Sequence, residues 1–311
     1  MTLTELRYIV AVAQWRHFGR AANACFVSQP TLSVAVRKLE DQLNIVIFER
    51  GPGDVTITPV GQQVVAQAQR VLEEVEVISQ IAVQGQDQLS GVLKLGVIYT
   101  IGPYLLPQLI PLLHQRAPQM PLQIEENYTA VLDDRLKQGQ LDVVIISFPF
   151  DEPGVTTEPL YEEPFVVVMP KGHRLEQTHV IQPHQLAQEK LLLLGSGHCF
   201  RDQVLQACPE CGQTGIAADN IQQGFSGSSL ETIRLMVATG IGVTVLPQTS
   251  VNSYPYPADL LSTRPFAEPL PKRIVGLAWR KRFARPAAVQ AVAEAIRDCP
   301  LGHMVQVLES D

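Results

Sequence analysis

Residues 18–50, FGRAANACFVSQPTLSVAVRKLEDQLNIVIFER, decide the architecture of the N-terminal part of the chain. Ser28 is a good helix N-cap, and Pro30 is tolerated in a first helical turn. Behind them Leu32, Val36, Leu39 and Leu43 fall on one apolar stripe, while Gln29, Thr31, Ser33 and Arg37 occupy the other face. Upstream, LTELRYIVAVAQW (3–15) places Leu3, Leu6, Ile9, Val10 and Ala13 at helical spacing. A short helix near 18–25 follows, with Arg20 outward and Ala21 and Ala22 inward. Downstream, IVIFERGPGDVTITP reads as two short strands around a Gly-Pro-Gly turn. Three helices and a small hairpin in the first 58 residues describe a winged helix-turn-helix.

The next segment is a long helix. Val64, Ala68, Val71, Val75, Ile78 and Ala82 recur at alternating spacings of four and three, an a/d pattern, so 59–88 is expected to be a linker helix that pairs with its own copy. A single amphipathic helix packed on one domain is the plainer alternative.

From Gly91 to Asp311 strand-like and helix-like segments alternate. VLKLGVI, LQIEEN, LDVVIIS, FVVVMP, LLLL, GVTVLP and RIVGLAWR read as strands, with helical patterns between them and a final helix near 286–298. Such alternation implies α/β lobes with mainly parallel sheets. The chain leaves one sheet near 161–168 and returns near 266–280. Two lobes are therefore expected, about 91–161 plus 269–311, and 162–268, with a ligand cleft between them.

Composition sets the outer bounds. The 311 residues suggest two or three domains, and 46% hydrophobic with 18% charged residues exclude collagen, long coiled coil and wholesale disorder. The longest apolar runs, such as Val143 to Ile146, are strand-sized, so no membrane span is expected. MTLTELRYIV lacks a basic region leading into an apolar export segment, which points to a cytoplasmic protein. Net charge is −7, yet residues 1–60 carry six basic and five acidic side chains, so the deficit lies in the remainder. Five cysteines in a cytosolic chain are not a disulfide framework. P-loop, G-x-S-x-G and H-E-x-x-H motifs are all missing, so no enzyme is expected.

Residues 18–50 resemble the DNA-binding domain of LysR-type transcriptional regulators, ungapped from about 3 to 61, and the resemblance continues through both lobes. It implies that Gln29, Pro30, Thr31, Ser33 and Arg37, with Arg50 on the wing, meet double-stranded operator DNA. These side-chain types suit base edges and phosphates. It also implies a homodimer or homotetramer and contact with RNA polymerase.

Within the second lobe, Gly197-His198-Cys199-Phe200-Arg201-Asp202-Gln203, with Cys208 nine residues after Cys199, resembles the redox segment of the peroxide-sensing members of that family. GPYLLP (102–107) after Thr100 adds to the match. The resemblance implies that hydrogen peroxide oxidises Cys199 and that Cys208 resolves it. It places Thr100, Thr129, His198 and Arg273 around the pocket. It also implies a thiol reductant such as glutaredoxin or thioredoxin, and no cofactor. Peroxide yields a sulfenic acid, with which a second thiol condenses. In one straight helix nine residues rise ~13.5 Å and turn half a revolution, whereas a disulfide needs Cα atoms within ~7 Å. Helix and Cys199–Cys208 disulfide therefore exclude each other.

Two rival readings remain. The chain could sense a small metabolite in the cleft with unreactive cysteines, or act as a thiol peroxidase with an N-terminal interaction module. Two departures from the family stand out. The run from Cys208 to Ser229 is long, with Gly224 about where a histidine often stands. Cys211 also makes Cys208-Pro209-Glu210-Cys211 a C-x-x-C, which is a weak zinc signal and a competitor for the resolving role. Cys25 and Cys299 are expected to be structural, and no metal site is expected.

Overall fold

The computed structural model describes residues 1–50, 55–84, 88–212, 229–252, 260–302 and 304–309. It omits the side chains of Arg50, of residues 76, 77 and 79–84, and of residues 212 and 252. The chain forms two compact units, Met1–Gln86 and Asp87–Asp311.

In the first unit, α1 (Leu3–Trp15), α2 (Phe18–Ala24) and α3 (Gln29–Leu43) precede a hairpin of β1 (Phe48–Arg50) and β2 (Val55–Ile57). Each helix start has a sequence cause. Thr2 accepts from the Glu5 N–H while the Glu5 carboxylate accepts from the Thr2 N–H, a reciprocal cap that also holds the Glu5 carboxyl below its usual range. His17 Nδ1 accepts from the N–H groups of Gly19 and Arg20, and Ser28 Oγ accepts from Thr31. Ile9, Val12, Ala21, Leu32, Val36, Leu39 and Ile47 fill one core. Leu43, by contrast, is exposed, because the helix ends one residue later at Asn44 in a left-handed turn. The Glu40 carboxylate ties α3 to the hairpin by accepting from the N–H groups of Ile47 and Phe48.

The long helix, α4 (Pro59–Gln84), divides its apolar stripe between two uses. Val64, Val65, Ala68 and Leu72 pack on the core of the same unit, whereas Val71 is 37% and Ile78 66% exposed. The anticipated continuous seam is thus split: its first turns are already occupied within the chain. The side chain of Ala82 lies outside the described residues.

The second unit is built on one large mixed sheet, in the order β4-β3-β5-β10-β6-β8-β7, with β9 and β11 also paired to β6. One end is a parallel βαβ arrangement of β3 (Leu93–Ile98), α5 (Gly102–Arg116), β4 (Leu122–Asn127), α6 (Thr129–Lys137) and β5 (Val143–Ser147). The sixteen-residue β6 (Val155–Pro170) then crosses from one core to the other, pairing with β10 (Lys272–Arg280) as far as Pro164 and with β8 and β9 from Phe165 onward.

The second core comprises α7 (Pro183–Leu186), β7 (Leu191–Leu192), α8 (Cys199–Ala207), α9 (Leu230–Ala238), β8 (Val243–Pro247), α10 (Gln248–Asn252) and β9 (Leu261–Pro265). The chain closes with α11 (Pro286–Arg297) and β11 (Gln306–Val307). Parallel pairing holds inside the βαβ arrangements, but among the described residues five of eight pairings in this sheet are antiparallel. The reason is local: β6 and β10 are direct crossing strands rather than helix-linked ones, so they need not run with their neighbours. Gly276 marks a register shift on β10, where a Cβ would stand 2.1 Å from the Glu158 carbonyl oxygen.

Candidate functional site

Cys199 is the first residue of α8 and retains a free, partly exposed thiol. It lines a small pocket with Ile98, Tyr99, Thr100, Asn127, Thr129 and His198, which has room for a water-sized molecule. The pocket assembles where β3 and β4 end and α8 begins, the crevice beyond the carboxyl ends of parallel strands. Three of the four expected pocket residues, Thr100, Thr129 and His198, therefore meet around Cys199.

Their polar atoms are disposed for a guest. Thr129 Oγ1 and His198 Nε2 are buried without a hydrogen-bond partner. The Thr100 hydroxyl accepts from Arg273 at 2.9 Å, which leaves its own proton free to donate. Tyr128 packs edge-on against the His198 ring at 4.7 Å between centroids. Burial holds the His198 imidazole below its ordinary value of 6.5, so the ring is neutral at pH 7.

That shift makes the stability of the second unit depend on pH. Below pH 6.5 the unfolded chain takes up a proton that folded His198 resists, so its stabilising contribution is lost as pH falls. Urea unfolding at pH 7.5 and 5.5 should show a shallower loss for His198→Gln than for the parent chain. Identical losses would assign the dependence to other groups.

Arg273 is not a lining residue. It is buried behind the pocket, donating to Glu163 at 2.6 Å and, through Nη1 and Nη2, to the Thr100 hydroxyl and carbonyl. Its guanidinium also lies 5.3 Å from the Phe200 ring centroid. Glu163, absent from the expectations, completes this group by accepting from the Thr249 N–H and hydroxyl. A charged residue just before the apolar run FVVVMP was its sequence signal. Gln203 was also overlooked as a linker; its Nε2 donates to Ser147 Oγ at 2.8 Å and to the Phe148 carbonyl at 3.3 Å.

Cys208 does not join the pocket. It caps the far end of α8, fully buried in the second core, and is bonded to Cys211 with Cα atoms 5.4 Å apart. In this state Cys208 is bonded to Cys211 and Cys199 is free, so the Cys199–Cys208 bond expected after peroxide oxidation is not formed here. The physical cause is the helix: nine helical residues separate Cys199 and Cys208 by ~13.5 Å, whereas the 3-10 turn Pro209–Gly212 brings Cys211 back to Cys208. Gly224 and the remainder of 213–228 lie outside the described residues. Cys25 and Cys299 both pack against cores, and burial pushes the Cys299 thiol up to about 12. Among the described residues no cluster of His, Cys, Asp and Glu could hold a metal. Nor is any described helix long and apolar enough to cross a membrane.

On the first unit, Gln29, Pro30, Thr31 and Arg37 are exposed along α3, and Ser33 is half-buried. Thr31 also shares a hydrogen bond with Ser28 Oγ. The backbone of Arg50 closes the β1–β2 ladder, while the hairpin tip and the Arg50 side chain lie outside the described residues.

This combination of a winged helix-turn-helix and a two-core α/β unit defines a bacterial regulator, and the chain belongs to the LysR family. Residues 3–62 match the bacterial regulatory helix-turn-helix protein, lysR family, and residues 86–299 match the LysR substrate binding domain. Among its relatives within that family are OxyR proteins. The DNA-binding transcriptional dual regulator OxyR of Escherichia coli is 40% identical over 309 residues, 99% of each chain. A probable hydrogen peroxide-inducible genes activator of Streptomyces viridosporus is 41% identical over 96% of each. A full-length OxyR variant from Pseudomonas aeruginosa is 52% identical, covers 100% of this chain and 99% of its own, and superposes with a TM-score of 0.79.

Proposed function

We propose that this chain is a DNA-binding transcriptional regulator that senses hydrogen peroxide through Cys199 and switches by forming a Cys199–Cys208 disulfide. The observation that carries this reading is the free Cys199 thiol in a water-sized pocket, beside the unpartnered Thr129 and His198 atoms. The Cys199 thiolate attacks one peroxide oxygen and hydroxide leaves, giving a sulfenic acid. The Cys208 thiol then displaces water to form the disulfide. Thr100 is the donor for the departing oxygen. This sequence starts from the dithiol form, so a dithiol protein such as glutaredoxin or thioredoxin first opens Cys208–Cys211. Helix α8 must unwind for the sulfurs to meet, which makes it the two-state element.

The three-part division into a DNA-reading module, α4 and a two-lobed sensor belongs to this proposal, as do a cytoplasmic location and contact with RNA polymerase. Arg37→Ala or Gln29→Ala should weaken operator binding while leaving assembly intact. A lost base-edge contact costs about 1–3 kcal/mol, whereas a lost phosphate contact lowers the salt dependence instead. Unchanged affinity in both variants would remove α3 from the groove.

Self-association should run along the exposed part of α4. Ile78→Lys, at a side chain 66% exposed in the isolated chain, and Val71→Lys, at one 37% exposed, each bury a charge in a dimer seam. Sedimentation should therefore show dissociation of the dimer and of any tetramer built on it. An unchanged oligomer would place the interface elsewhere. The function itself is tested by mass spectrometry of the reduced chain after one equivalent of peroxide, with operator footprinting alongside. A Cys199-linked oxidation with an altered footprint is expected, and unmodified Cys199 would overturn the reading.

A further inference from the structure

Cys208 has two possible sulfur partners and can bond only one at a time. Its bond to Cys211 spans three residues and coexists with an intact α8, as the structure shows. A bond to Cys199 would span nine residues and require that helix to melt. Both Cys208 and Cys211 are buried in the second core, 0% and 2% exposed, packed with Val204, Leu186 and Leu230. Cys208 Sγ also lies 3.2 Å from the Pro183 carbonyl oxygen, at the start of α7. The helical state thus presents Cys208 to Cys211 and withholds it from Cys199.

Resting on the peroxide reading above, we propose that Cys211 is a third redox residue, which takes Cys208 from the Cys199–Cys208 disulfide and switches the sensor off from within. The Cys211 thiolate attacks Cys208 Sγ, the Cys199–Cys208 bond breaks, and Cys199 leaves as thiolate. A Cys208–Cys211 disulfide forms with no net change in oxidation state. Freed from the Cys199 bond, the segment refolds as α8, and burial of the new bond in the second core draws the exchange in that direction. The two electrons first given to peroxide are restored later, when a dithiol reductant opens Cys208–Cys211. Until then Cys199 is again a free thiol but has no resolving partner, so the chain is refractory to a second disulfide switch.

The experiment follows disulfides in time on the full-length reduced chain. One equivalent of peroxide is added, excess oxidant is removed, and samples are alkylated and mapped by peptide mass spectrometry with no reductant present. In the parent chain the Cys199–Cys208 peptide pair should appear first and give way to Cys208–Cys211, with Cys199 becoming alkylatable again. In Cys211→Ser the Cys199–Cys208 pair should last longer by about tenfold or more, because a neighbouring thiol acts at a far higher effective concentration than one on another molecule. Cys211→Ala serves as a second variant, since a serine hydroxyl in this core leaves a buried polar group.

Equal lifetimes in parent and variants overturn the proposal, as does a parent chain that ends at Cys199–Cys208. A parallel sample receives diamide, which makes disulfides without a sulfenic acid. Should diamide yield Cys208–Cys211 with free Cys199 while peroxide leaves Cys199 untouched, the peroxide reading fails and the partnership of Cys208 with Cys211 stands.

Discussion

Replacing Cys199 by serine is expected to abolish the response to peroxide altogether, while the reduced chain keeps its fold and its operator binding. The reactive species is a thiolate, and a serine hydroxyl neither ionises near neutral pH nor forms a sulfenic acid. The remaining cysteines are poor substitutes. Burial raises the Cys25 thiol above its ordinary value and pushes Cys299 up to about 12, so both stay protonated. Cys208 and Cys211 are shielded in the second core and lie outside the pocket. The variant should show no mass gain at residue 199, no bond between residue 199 and Cys208, and an unchanged footprint in peroxide. A footprint that still shifts would move the sensor to another sulfur.

The second large effect concerns the pocket's support. Arg273→Met should destabilise the second unit by about 3–5 kcal/mol, because it leaves the Glu163 carboxylate buried without its cation. In a unit of this size that corresponds to roughly 10 °C in Tm. Glu163 and Arg273 are both fully buried, so solvent does not screen the pair. Combining Arg273→Met with Glu163→Leu should recover much of the loss, since no charge is then stranded. If the double variant is as unstable as the single one, the cost arises from packing against Phe200 and not from the carboxylate. Peroxide reactivity should fall in both variants, because the Thr100 hydroxyl loses the guanidinium that orients it.

The elements with strong local periodicity were legible in the sequence. α1, α3, the βαβ segments and the closing helix lie where apolar spacing and caps placed them, because each is specified within its own few residues. What escaped depends on chain segments far apart in sequence. The antiparallel run of β6 and β10 cannot be read from either strand alone, since direction is a property of their pairing.

The fate of the α4 stripe is similar. Val64 and Val71 look alike in sequence, yet only the first finds the core of α1 to α3. Around the pocket, Thr100, Thr129, His198 and Arg273 were named through family resemblance, and Arg273 reaches the pocket through its hydrogen bonds to Thr100. Its true partner, Glu163, stands 110 residues away. The Cys208–Cys211 bond was visible as a C-x-x-C, but nothing in the spacing alone ranked it against Cys199.

Gln203 stands midway along α8, its amide fixed to Ser147 and Phe148 at the end of β5. In mechanical terms the helix is a pinned lever. Drawing Cys199 and Cys208 from ~13.5 Å to within ~7 Å cannot leave both the lever and its pin in place. On the proposed switch, a two-electron event at one sulfur would become a change in how the two cores of this unit are fastened.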